Sequence, residues 1–559
     1  MGEGMGENDA TRLDRLNGML KRRGFLLPAF EIHGGAKGLY DFGPVGGRLR
    51  SRINQVWINH WLQMGNIVEL SCPTITPYAV LEASGHVGEF SDFMTDCGGC
   101  EEGSRADTLL EGHHPNPDAL SKDELQELLN LIKPPCPACN ECQWSPISAQ
   151  NLMFNTTIGA GQSGRPGFLR PETAQGMFTS YPSLYRHFRE RLPFGAVQVG
   201  KGYRNEISPR QGMIRLREFN MAELEYFIDP EVNVEHDFQQ WDDTPLTLVA
   251  DENGELEMTL REAVAQGIIR HATVGYFMGM THTFLQKVGI DSKRIRFRQH
   301  EHDEMAHYAT DCWDAEIEGS YGWVECVGIA HRGCYDLESH EKATGRTLRA
   351  RREFDEPRMV EIDGWTINGA TAGPAFKQLA GAVKNAVESL PKETNFPAQL
   401  NVNGTDVTVE EEHVKVNQKS IKETGEWFIP HVIEPAFGID RILWHVIDHA
   451  YEEQEREGEA YTIMHLSKNI APVDVCVFPL FEKEGMGELA KEIHGNFLKS
   501  TGTVSMYDGS GSIGRRYARA DEIGVPSCIT VDHQSLQDGT VTLRDRDTGE
   551  QKRVNIADL

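Results

Sequence analysis

The feature that most constrains this chain is a charged segment at residues 200–219. It begins as Gly200-Lys-Gly-Tyr-Arg204-Asn-Glu206, crosses a polar loop, and returns as Arg217-Glu218-Phe219. Apolar alternation on both sides of the loop predicts two strands that pair as a hairpin. In such a hairpin an arginine can bind a phosphate through two parallel hydrogen bonds, and an aromatic ring can stack on a purine. The pattern therefore favours a nucleotide site, although an exposed, salt-bridged hairpin has the same composition.

Two more segments agree with this interpretation. Glu434-Pro-Ala-Phe-Gly438-Ile-Asp-Arg441 leads into an apolar-periodic helix, so a second arginine stands at the start of that helix. A long amphipathic helix at about 48–64 is followed by a strand at 67–73. Taken along the chain, the three segments resemble motifs 1, 2 and 3 of the class II aminoacyl-tRNA synthetases. Motif 1 forms the dimer interface in that class, so the resemblance implies a homodimer.

Further segments resemble one family within the class, the dimeric glycyl-tRNA synthetases of archaea, eukaryotes and some bacteria. They are Phe168–Gly176, Met221–Glu223, Glu304–Tyr308, Asp311–Asp314 and Tyr321–Glu325. The string Gly509–Gly524 resembles the anticodon-binding domain that this family shares with the histidyl, prolyl and threonyl enzymes. The resemblance covers nearly the whole chain, apart from much of two insertions.

The resemblance implies an α/β (α+β) fold, with an antiparallel-sheet catalytic domain that carries insertions and a C-terminal α/β anticodon-binding domain. At 559 residues the chain is long enough for several domains. The expected boundaries are catalytic core at 1–95, 148–344 and 426–469, a cysteine-rich insertion at 96–147, a polar insertion at 345–425, and the anticodon-binding domain at 470–559. The pattern at 259–288 predicts one long helix, and residues 345–425 are poorly patterned.

The family implies two chemical steps with ATP, glycine and tRNA(Gly) as substrates. The glycine carboxylate attacks the α-phosphate of ATP and releases pyrophosphate, and the adenylate then passes glycine to the 3′ end of the tRNA. Such steps need positioning and charge stabilisation rather than an enzyme nucleophile. By resemblance, the catalytic residues are Arg204 at the α-phosphate, Glu206 on the adenine side and Arg441 at the γ-phosphate. Phe219 stacks on adenine, and Glu325 matches the position that holds ATP with Mg²⁺. The full set expected to bind ATP is Arg204, Asn205, Glu206, Ile214, Arg215, Leu216, Arg217, Glu218, Phe219, Glu325, Cys326, Gly438, Ile439, Asp440 and Arg441.

Glycine presents only an ammonium, a carboxylate and two hydrogens, so its site must be a tight, acidic cup. By resemblance, Glu172, Glu223 and Glu434 surround the ammonium. The expected glycine-binding set is Arg105, Glu172, Phe219, Asn220, Met221, Ala222, Glu223, Glu434, Pro435, Ala436, Phe437 and Gly438. The chain has Ala436 where the family commonly has serine after Glu-Pro, which removes one polar contact worth about 0.5–1.5 kcal/mol. A larger amino acid meets hard sterics in such a cup, so no editing domain is expected.

Five of the 11 cysteines crowd into one stretch, as Cys97-x-x-Cys100 and Cys136-x-x-Cys139-x-x-Cys142. The spacing of Cys97, Cys100, Cys136 and Cys139 is typical of a structural Zn²⁺ site, although reduced thiols without metal have the same spacing. Cys142 is either a spare thiol or a replacement for Cys139. Because Arg105 lies inside this stretch, we hypothesise that zinc steadies a loop beside the glycine site. A histidine-rich stretch at 300–307 lacks the helical His-Glu-x-x-His arrangement of a metal site, and the resemblance to the family implies that it belongs to the active-site framework.

The charge of the chain bears on its partners and its compartment. The net charge is −29 at pH 7, with acidic residues spread along the whole chain. This balance argues against non-specific nucleic-acid binding and favours a surface adapted to high salt, as in a halophilic archaeon. Arg515, Arg516 and Arg519 supply a local basic site for tRNA, although a solvated helix face has the same pattern. There is no apolar stretch of spanning length and no basic-apolar leader, so we expect a cytoplasmic protein without membrane contact.

Two other interpretations of the sequence compete with the glycyl family. A prolyl, threonyl or histidyl enzyme is disfavoured by the segments Arg170-Pro-Glu172-Thr-Ala and Met221-Ala-Glu223 and by the acidic lining of the pocket. A synthetase-like protein that only binds RNA is expected to have lost the phosphate-binding residues, whereas this chain keeps both arginines, Arg204 and Arg441.

Overall fold

The computed structural model describes residues 7–100, 102–114, 116–117, 120–206, 212–250, 254–300, 311–456, 458–499 and 502–559. The chain forms two compact units, one made of Met1–Leu348 with Pro430–Leu559 and the other of Arg349–Ile429. No helix within the described ranges is long and apolar enough to cross a membrane.

Within the described residues, a nine-stranded sheet forms the centre of the larger unit. Its strands, in spatial order, are Gly254–Met258, Leu246–Ala250, Ile295–Gln299, Asp311–Gly319, Gly322–Gly333, His431–Gly438, Glu218–Ile228, Phe194–Tyr203 and Ile67–Glu69. Neighbours are antiparallel except where Leu246–Ala250 meets Ile295–Gln299 and where Phe194–Tyr203 meets Ile67–Glu69. The antiparallel sheet expected of the catalytic domain is confirmed.

Alternation along the central strands separates a core face of the sheet from a site face. In one central strand, Ala222 lies in the core and Glu223 lines a cavity. In the neighbouring strand, Phe437 lies in the core and Glu434 lines the same cavity. Because successive side chains of a strand point to opposite faces, the sequence pattern dictates this division.

The core face is covered by apolar helices. The three that carry most of the covering side chains are Pro44–Leu62, Ala272–Lys287 and Ile439–Ala450. The ring of Phe437 makes edge-to-face contacts with Trp57, at 5.5 Å between centroids, and with Trp61, at 6.1 Å. Both tryptophans are fully buried, so the apolar stripe expected on the first of these helices seals the sheet directly below the site.

The single helix expected over 259–288 is wrong, because the structure has two helices there. They are Leu260–Ala265 and Ala272–Lys287. Between them Gly267 adopts a φ of 74°, a left-handed conformation that ends the first helix. His271 caps the second helix, where its side chain accepts a hydrogen bond from the backbone N–H of Thr273 at 3.2 Å. The apolar periodicity continues across the break, so periodicity alone does not reveal it.

Shorter elements surround the sheet. The helices are Glu7–Arg22, Tyr78–Ala83, His86–Glu89, Ala174–Thr179, Tyr181–His187 and Tyr335–Thr344. The short strands are Leu26–Pro28 with Tyr40–Phe42, Ile75–Pro77 and Asn155–Ile158 with Arg165–Leu169, and Tyr451–Arg456 with Glu459–Met464. Four of these helices carry side chains behind the site face or lie next to them in the chain, and those side chains contribute to the electrostatics of the site. The four begin at Tyr78, His86, Ala174 and Tyr335.

The cysteine pairs belong to a small subdomain, here called the cysteine module. It comprises the strands Ser91–Asp96, Gly103–Arg105 and Ser148–Asn151 and the helices Ala106–Leu110 and Lys122–Ile132. The first strand is central and pairs antiparallel with the other two. Ser121 and Glu124 form a capping box that begins the longer helix. Leu110 and Leu125 contribute to a separate small core, so the module packs around its own apolar centre.

The smaller unit, Arg349–Ile429, is well structured although its sequence is poorly patterned. Its elements are the long strands Ala350–Ile367 and Val414–Phe428, the short strands Ala398–Val402 and Thr405–Val409, and the helices Gly369–Phe376 and Ala380–Glu388. The two long strands pair as an antiparallel ribbon. Much of the ribbon is exposed on both faces, so its sequence has no apolar alternation to read.

The C-terminal region is an α/β domain, as expected. In the described residues its five-stranded sheet has the order Ser505–Tyr507, Val475–Pro479, Ser527–Val531, Thr540–Asp545 and Gln551–Asn555. The first three strands are parallel and the last two are antiparallel to their neighbours. The helices are Met486–Lys499, Ile513–Glu522 and Ser535–Asp538.

Candidate active site

A cavity of about 250 Å³ opens on the site face of the sheet. Most residues expected to bind ATP or glycine line it, namely Glu172, Arg204, Glu206, Ile214, Arg215, Leu216, Phe219, Asn220, Met221, Glu223, Glu325, Cys326, Glu434, Ala436, Gly438, Asp440 and Arg441. Met213 and Gly328 line it too, and the sequence did not single them out. The fold thus brings widely separated segments to one cavity.

The other expected residues lie outside this cavity. They are Arg105, Asn205, Arg217, Glu218, Ala222, Pro435, Phe437 and Ile439. Ala222 and Phe437 are paired across neighbouring strands and point into the core, because every second residue of a strand faces away from the site. Arg217 donates from Nε to the backbone oxygen of Glu206 at 2.9 Å, so it braces the hairpin loop instead. The segment Glu304–Tyr308 lies outside the described residues.

Arg204 lies where the strand Phe194–Tyr203 ends and the hairpin loop begins. Its guanidinium carbon is 5.3 Å from the ring centroid of Phe90 and 5.5 Å from that of Phe219, within the range of cation–π attraction. Its Nε donates to the backbone oxygen of Pro171 at 3.4 Å. Among the described residues Arg204 forms no ion pair, so its positive charge is available to a bound anion.

Arg441 stands in the first turn of the helix Ile439–Ala450. Its Nη1 donates to the backbone oxygen of Glu325 at 2.7 Å and lies 3.6 Å from that residue's carboxylate. Its Nε donates to the backbone oxygen of Ile214 at 3.1 Å. The residue before it in the helix, Asp440, accepts hydrogen bonds from the backbone N–H and the side-chain N–H of Asn220, at 2.8 Å and 3.0 Å. These contacts tie the helix to both sides of the cavity.

The three expected glycine carboxylates are each held by hydrogen bonds. Glu223 accepts from the backbone N–H of Thr173 at 2.8 Å and also from the hydroxyl of Thr173. Glu434 accepts from Nη1 of Arg332 at 2.6 Å. Glu172 accepts from Nε2 of Gln175 at 3.0 Å, and its carboxylate lies 3.3 Å from Nε2 of His86. We call Glu172, Glu223 and Glu434 the glycine cup.

The three carboxyls of the glycine cup differ in how readily they ionise. Burial raises the pKa of Glu223 to about 8, with Glu434 and Glu172 adding to the effect. Burial also raises the pKa of Glu434 to about 7, although Arg332 opposes the rise. Burial disfavours ionisation of Glu172 as well, but the charges of His86 and Arg332 outweigh it and hold the pKa of Glu172 well below its usual range. The cup therefore combines one firmly ionised carboxylate with two that retain protons near neutrality.

Sequence reasoning missed the residues that stand behind the glycine cup. Arg332 donates from Nε to Asp336 at 2.8 Å as well as to Glu434, so one buried guanidinium joins two carboxylates. His86 follows a glycine at the start of a four-residue helix and reaches Glu172. Arg332 lies at the end of a strand and Asp336 at the start of the next helix, so the i, i+4 spacing that marks ion pairs within a helix was not a signal here. Nothing in the sequence around His86 pointed to its partner.

The four expected metal ligands converge. The Sγ atoms of Cys97, Cys100, Cys136 and Cys139 all lie within 4.8 Å of one another. The Sγ atoms of Cys97 and Cys139 are 3.5 Å apart, and those of Cys100 and Cys136 are 3.7 Å apart. This arrangement fits the tetrahedral thiolate set that Zn²⁺ prefers. Cys142 lies outside the group and donates to the backbone oxygen of Asn140 at 3.8 Å.

A second group with metal-ligating side chains is formed by His300, Cys312 and Asp314. Its carboxylate is already engaged, because Asp314 is 2.8 Å from Nε2 of His300 and 3.2 Å from Nη2 of Arg298. Asp314 thus carries a cationic partner from the protein itself. We therefore regard this group as an internal ion-pair cluster.

The three arginines expected to bind tRNA have different surroundings. Arg516 is buried and donates to the backbone oxygens of Pro479 and Gly511, the latter at 2.7 Å. Arg519 forms an ion pair with Asp508 at 2.6 Å. Arg515 is exposed. Two of the three therefore stabilise the loop before their helix, and Arg515 presents its charge to solvent.

The chain has close relatives among known proteins. Residues 474–559 match the family model described as "Anticodon binding domain". A protein of Methanothrix thermoacetophila, named "Glycine--tRNA ligase", is 44% identical over 550 residues, which cover 97% of this chain and 95% of that protein. A protein of Methanocaldococcus jannaschii with the same name is 42% identical over 568 residues, which cover 98% of this chain and 97% of that protein.

Solved structures give a likeness in fold. A Giardia lamblia prolyl-tRNA synthetase in complex with prolyl-adenylate matches with a TM-score of 0.51 and 13% sequence identity. The match covers 98% of this chain and 76% of that protein. At this identity the likeness concerns the fold, which is that of a class II synthetase.

Proposed function

The chain belongs to the glycine–tRNA ligase family, and on that premise we propose how its residues serve the reaction. It activates glycine with ATP to form glycyl-adenylate, releases pyrophosphate, and transfers glycine to the 3′ end of tRNA(Gly). One observation carries the assignment of residues: a single cavity combines a cup of three carboxylates with the arginines Arg204 and Arg441. Carboxylates suit an ammonium and arginines suit phosphates, so this cavity matches both substrates.

In the activation step, an oxygen of the glycine carboxylate attacks the α-phosphorus of ATP. The bond between that phosphorus and the oxygen leading to the β-phosphate breaks, and pyrophosphate leaves. Arg204 binds the α-phosphate and stabilises the negative charge that builds up there. Arg441 binds the γ-phosphate from the first turn of its helix, where the backbone N–H groups also favour an anion. Glu206 contacts the adenine and Phe219 stacks on it.

ATP enters this reaction with Mg²⁺, which neutralises charge on the phosphates. Glu325 is the residue we assign to hold it, because its side chain is 54% exposed and lies 3.6 Å from Nη1 of Arg441. A carboxylate beside a phosphate-binding arginine supplies the oxygen ligand that Mg²⁺ prefers. Cys326, the next residue, is fully buried and contributes a wall rather than a ligand.

The glycine cup binds the ammonium of glycine. With Glu172 ionised, and with Glu223 and Glu434 able to ionise as the ammonium binds, the cup can place three carboxylates beside a small cation. Ala436 and Gly328 line the same cavity and add no polar side chain. Glycine is held mainly by charge and by the narrow fit of the cup.

In the transfer step, a hydroxyl of the terminal ribose of tRNA attacks the carbonyl carbon of glycyl-adenylate, and AMP leaves. The C-terminal domain binds the anticodon end of the tRNA, and Arg515 is our candidate for a phosphate contact there. Replacing Arg515 with alanine is expected to weaken tRNA binding and leave glycine activation unchanged.

Zn²⁺ is the ion we assign to Cys97, Cys100, Cys136 and Cys139. Backbone N–H groups of Gly99 and Ala138 point at sulfur atoms of the group, each at 3.4 Å, which helps to stabilise thiolates. Elemental analysis of the purified protein is expected to give about one zinc per protomer. A folded protein that contains no zinc contradicts this assignment.

A homodimer is the assembly that we propose. The turn before the motif 1 helix Pro44–Leu62 exposes two large apolar side chains, with Phe30 at 62% and Ile32 at 93% exposure. Side chains of this kind are a cost to a monomer unless another surface covers them. Sedimentation velocity is expected to give twice the chain mass, and a monomer at all micromolar concentrations contradicts the proposal.

The experiment that tests the proposed function is amino-acid-dependent ATP–pyrophosphate exchange. It is run in multimolar KCl with Mg²⁺ and each of the twenty amino acids in turn. Exchange is expected with glycine alone, and Arg204→Ala is expected to reduce it strongly, to a low but measurable rate. Exchange with another amino acid contradicts the assignment of the glycine cup, and no exchange from a folded protein contradicts the role of the whole cavity.

A further inference from the structure

We propose, on the premise that Arg204 binds the α-phosphate, that Phe90 is a positioning residue for Arg204 and that the cysteine module sets the position of Phe90. Phe90 directly precedes the central strand of the module, Ser91–Asp96. Cys97 to Cys100 lie in the turn that follows this strand, so two of the four proposed metal ligands and Phe90 lie at opposite ends of one strand. A metal held at one end can therefore act on the catalytic arginine near the other.

The metal end of this connection is the turn of a hairpin. The strand Ser91–Asp96 pairs with Gly103–Arg105, and the last pair is Asp96 with Gly103. The backbone N–H of Cys97 donates to the oxygen of Glu102 at 3.0 Å, which closes the turn. Cross-linking Cys97 and Cys100 to the second cysteine pair through a metal restrains this turn. Without the metal, the described part of the turn is held by backbone hydrogen bonds, by the hydroxyl of Ser145, which accepts from the N–H of Asp96 at 2.9 Å, and by the small core of the module.

The other end of the strand reaches the hairpin loop through consecutive backbone hydrogen bonds. The N–H of Leu152 donates to the oxygen of Phe90 at 3.1 Å, and the oxygen of Leu152 accepts from the N–H of Asn205 at 2.7 Å. Leu152 follows the third strand of the module, Ser148–Asn151, which pairs with the Phe90 strand. The residue next to Arg204 is thus fixed to the module by its backbone.

The side chain of Phe90 completes the connection. It packs against the buried cluster of Leu81, Met153 and Phe168, and this packing restricts the position of the ring. Its centroid is 5.3 Å from the guanidinium carbon of Arg204. Arg204 has no ion-pair partner in the described part of the chain, so the two rings, Phe90 and Phe219, and the oxygen of Pro171 determine where its charge points.

Charged side chains of the module also face the loop. Arg105 lies 3.5 Å from the carboxylate of Asp92 and pairs with Asp107 as well. Burial raises the pKa of the Asp92 carboxyl, and the charges of Arg204 and Arg215 oppose this rise. Burial also raises the pKa of Glu206, and the charge of Arg105 opposes that rise. The module therefore contributes to the field around the phosphate-binding arginine. This explains why Arg105 matters near the site although it does not line the cavity.

The first test is a double-mutant cycle between Phe90 and Arg204 in pyrophosphate exchange. Phe90→Leu is expected to lower kcat/KM by about 2- to 30-fold, as the loss of a cation–π contact implies. Phe90→Tyr keeps the ring and is expected to stay within about twofold of the wild type. In an Arg204→Ala background, Phe90→Leu is expected to have almost no further effect on glycine activation or on ATP affinity. An equal loss with and without Arg204 overturns the positioning role.

The second test follows the metal and does not depend on activity. Cys100→Ser is compared with Cys142→Ser, a matched control that changes a nearby cysteine outside the ligand group. In Cys100→Ser we expect loss of zinc and hydrogen exchange at the amide of Asn205 faster by about tenfold. Cys142→Ser is expected to keep both at wild-type values. Loss of zinc without faster exchange at Asn205, or no zinc in the wild type, overturns the link from metal to loop.

The two tests separate this proposal from the proposed function. If the wild-type protein fails to exchange pyrophosphate with glycine, the roles of the cavity residues fail. The amide of Asn205 still reports whether the module holds the loop. The other case is normal exchange by the wild type, with Phe90→Leu behaving like Phe90→Tyr and Cys100→Ser behaving like Cys142→Ser. In that case the proposed function stands and the positioning role is overturned.

Discussion

On the proposed assignment, in which the glycine cup binds the ammonium, glycine binding is expected to release protons, because two carboxyls of the cup retain protons near neutral pH. Burial, with Glu434 and Glu172 nearby, raises the pKa of Glu223 to about 8. Burial also raises the pKa of Glu434 to about 7, and Arg332 only partly offsets the rise. An ammonium among these carboxyls favours their ionised forms, so binding lowers both pKa values.

The size and the sign of the effect follow from these values. At pH 7 a carboxyl with a pKa of 8 is protonated in about 90% of molecules, and one with a pKa of 7 in about half. Full ionisation on binding therefore releases at most about 1.4 protons at pH 7. Glycine must displace these protons at low pH, so its Kd falls by about tenfold per pH unit while one proton is released. Affinity therefore falls steadily as the pH drops below 8 and levels off above about pH 9, where both carboxyls are already ionised.

Isothermal titration calorimetry in two buffers with different ionisation enthalpies measures the number of protons released. Glu223→Gln removes the carboxyl with the higher pKa, so the number is expected to fall by about 0.9 at pH 7. Glu338→Gln, which changes an exposed surface carboxylate, is the matched control and is expected to leave it unchanged. Identical heats in both buffers, or a glycine Kd that is constant between pH 6 and 8, would refute the reasoning.

Three further predictions concern the cup, its supporting charge and the surface. Ala436→Ser supplies a hydroxyl at the edge of the cup and is expected to lower the KM for glycine by about 2- to 10-fold, whereas an unchanged or higher KM contradicts a missing polar contact. Arg332→Met leaves Glu434 and Asp336 buried without their cation and is expected to lower the free energy of unfolding by about 3–5 kcal/mol in urea. Lys342→Met, which breaks an exposed ion pair, is its control and is expected to cost less than about 1 kcal/mol. With a net charge of −29, the protein is expected to melt at a higher temperature in multimolar KCl than in dilute buffer, and equal melting temperatures contradict salt adaptation.

The parts of the fold that the sequence predicted are those in which local pattern and tertiary position agree. The hairpin strands Phe194–Tyr203 and Glu218–Ile228 alternate clearly because one face is sealed by the core and the other lines the cavity. The same alternation separated Glu223 from Ala222 and Glu434 from Phe437. The residues of a motif that lies on a regular strand can therefore be assigned to the two faces of the sheet from the sequence alone.

The parts that the sequence did not predict depend on contacts between distant segments or on surfaces without a core. The ribbon of the smaller unit is exposed on both faces, so no apolar period marks its strands. His86 and Glu172 are 86 residues apart in the chain and meet only through packing. Arg516 belongs to a basic, helix-spaced set, yet it turns inward because it donates to the backbone oxygens of Gly511, in the loop before its helix, and of Pro479, at the end of a strand. Sequence spacing cannot show which side chains a loop will recruit.

On the proposed assignment, we expect the selection of glycine to depend on how firmly the carboxyls of the cup are held rather than on their charge. Every amino acid carries an ammonium, so charge alone does not distinguish glycine from alanine. An added methyl must displace a wall of the cup, and the cost depends on whether that wall can move. Glu223 is held by two hydrogen bonds from Thr173, and Glu434 is held by the buried guanidinium of Arg332. Moving either carboxylate breaks a buried, charge-assisted hydrogen bond, which costs more than a methyl gains from burial. Thr173 and Arg332, which are not among the residues that line the cavity, are therefore expected to decide the selectivity of the site.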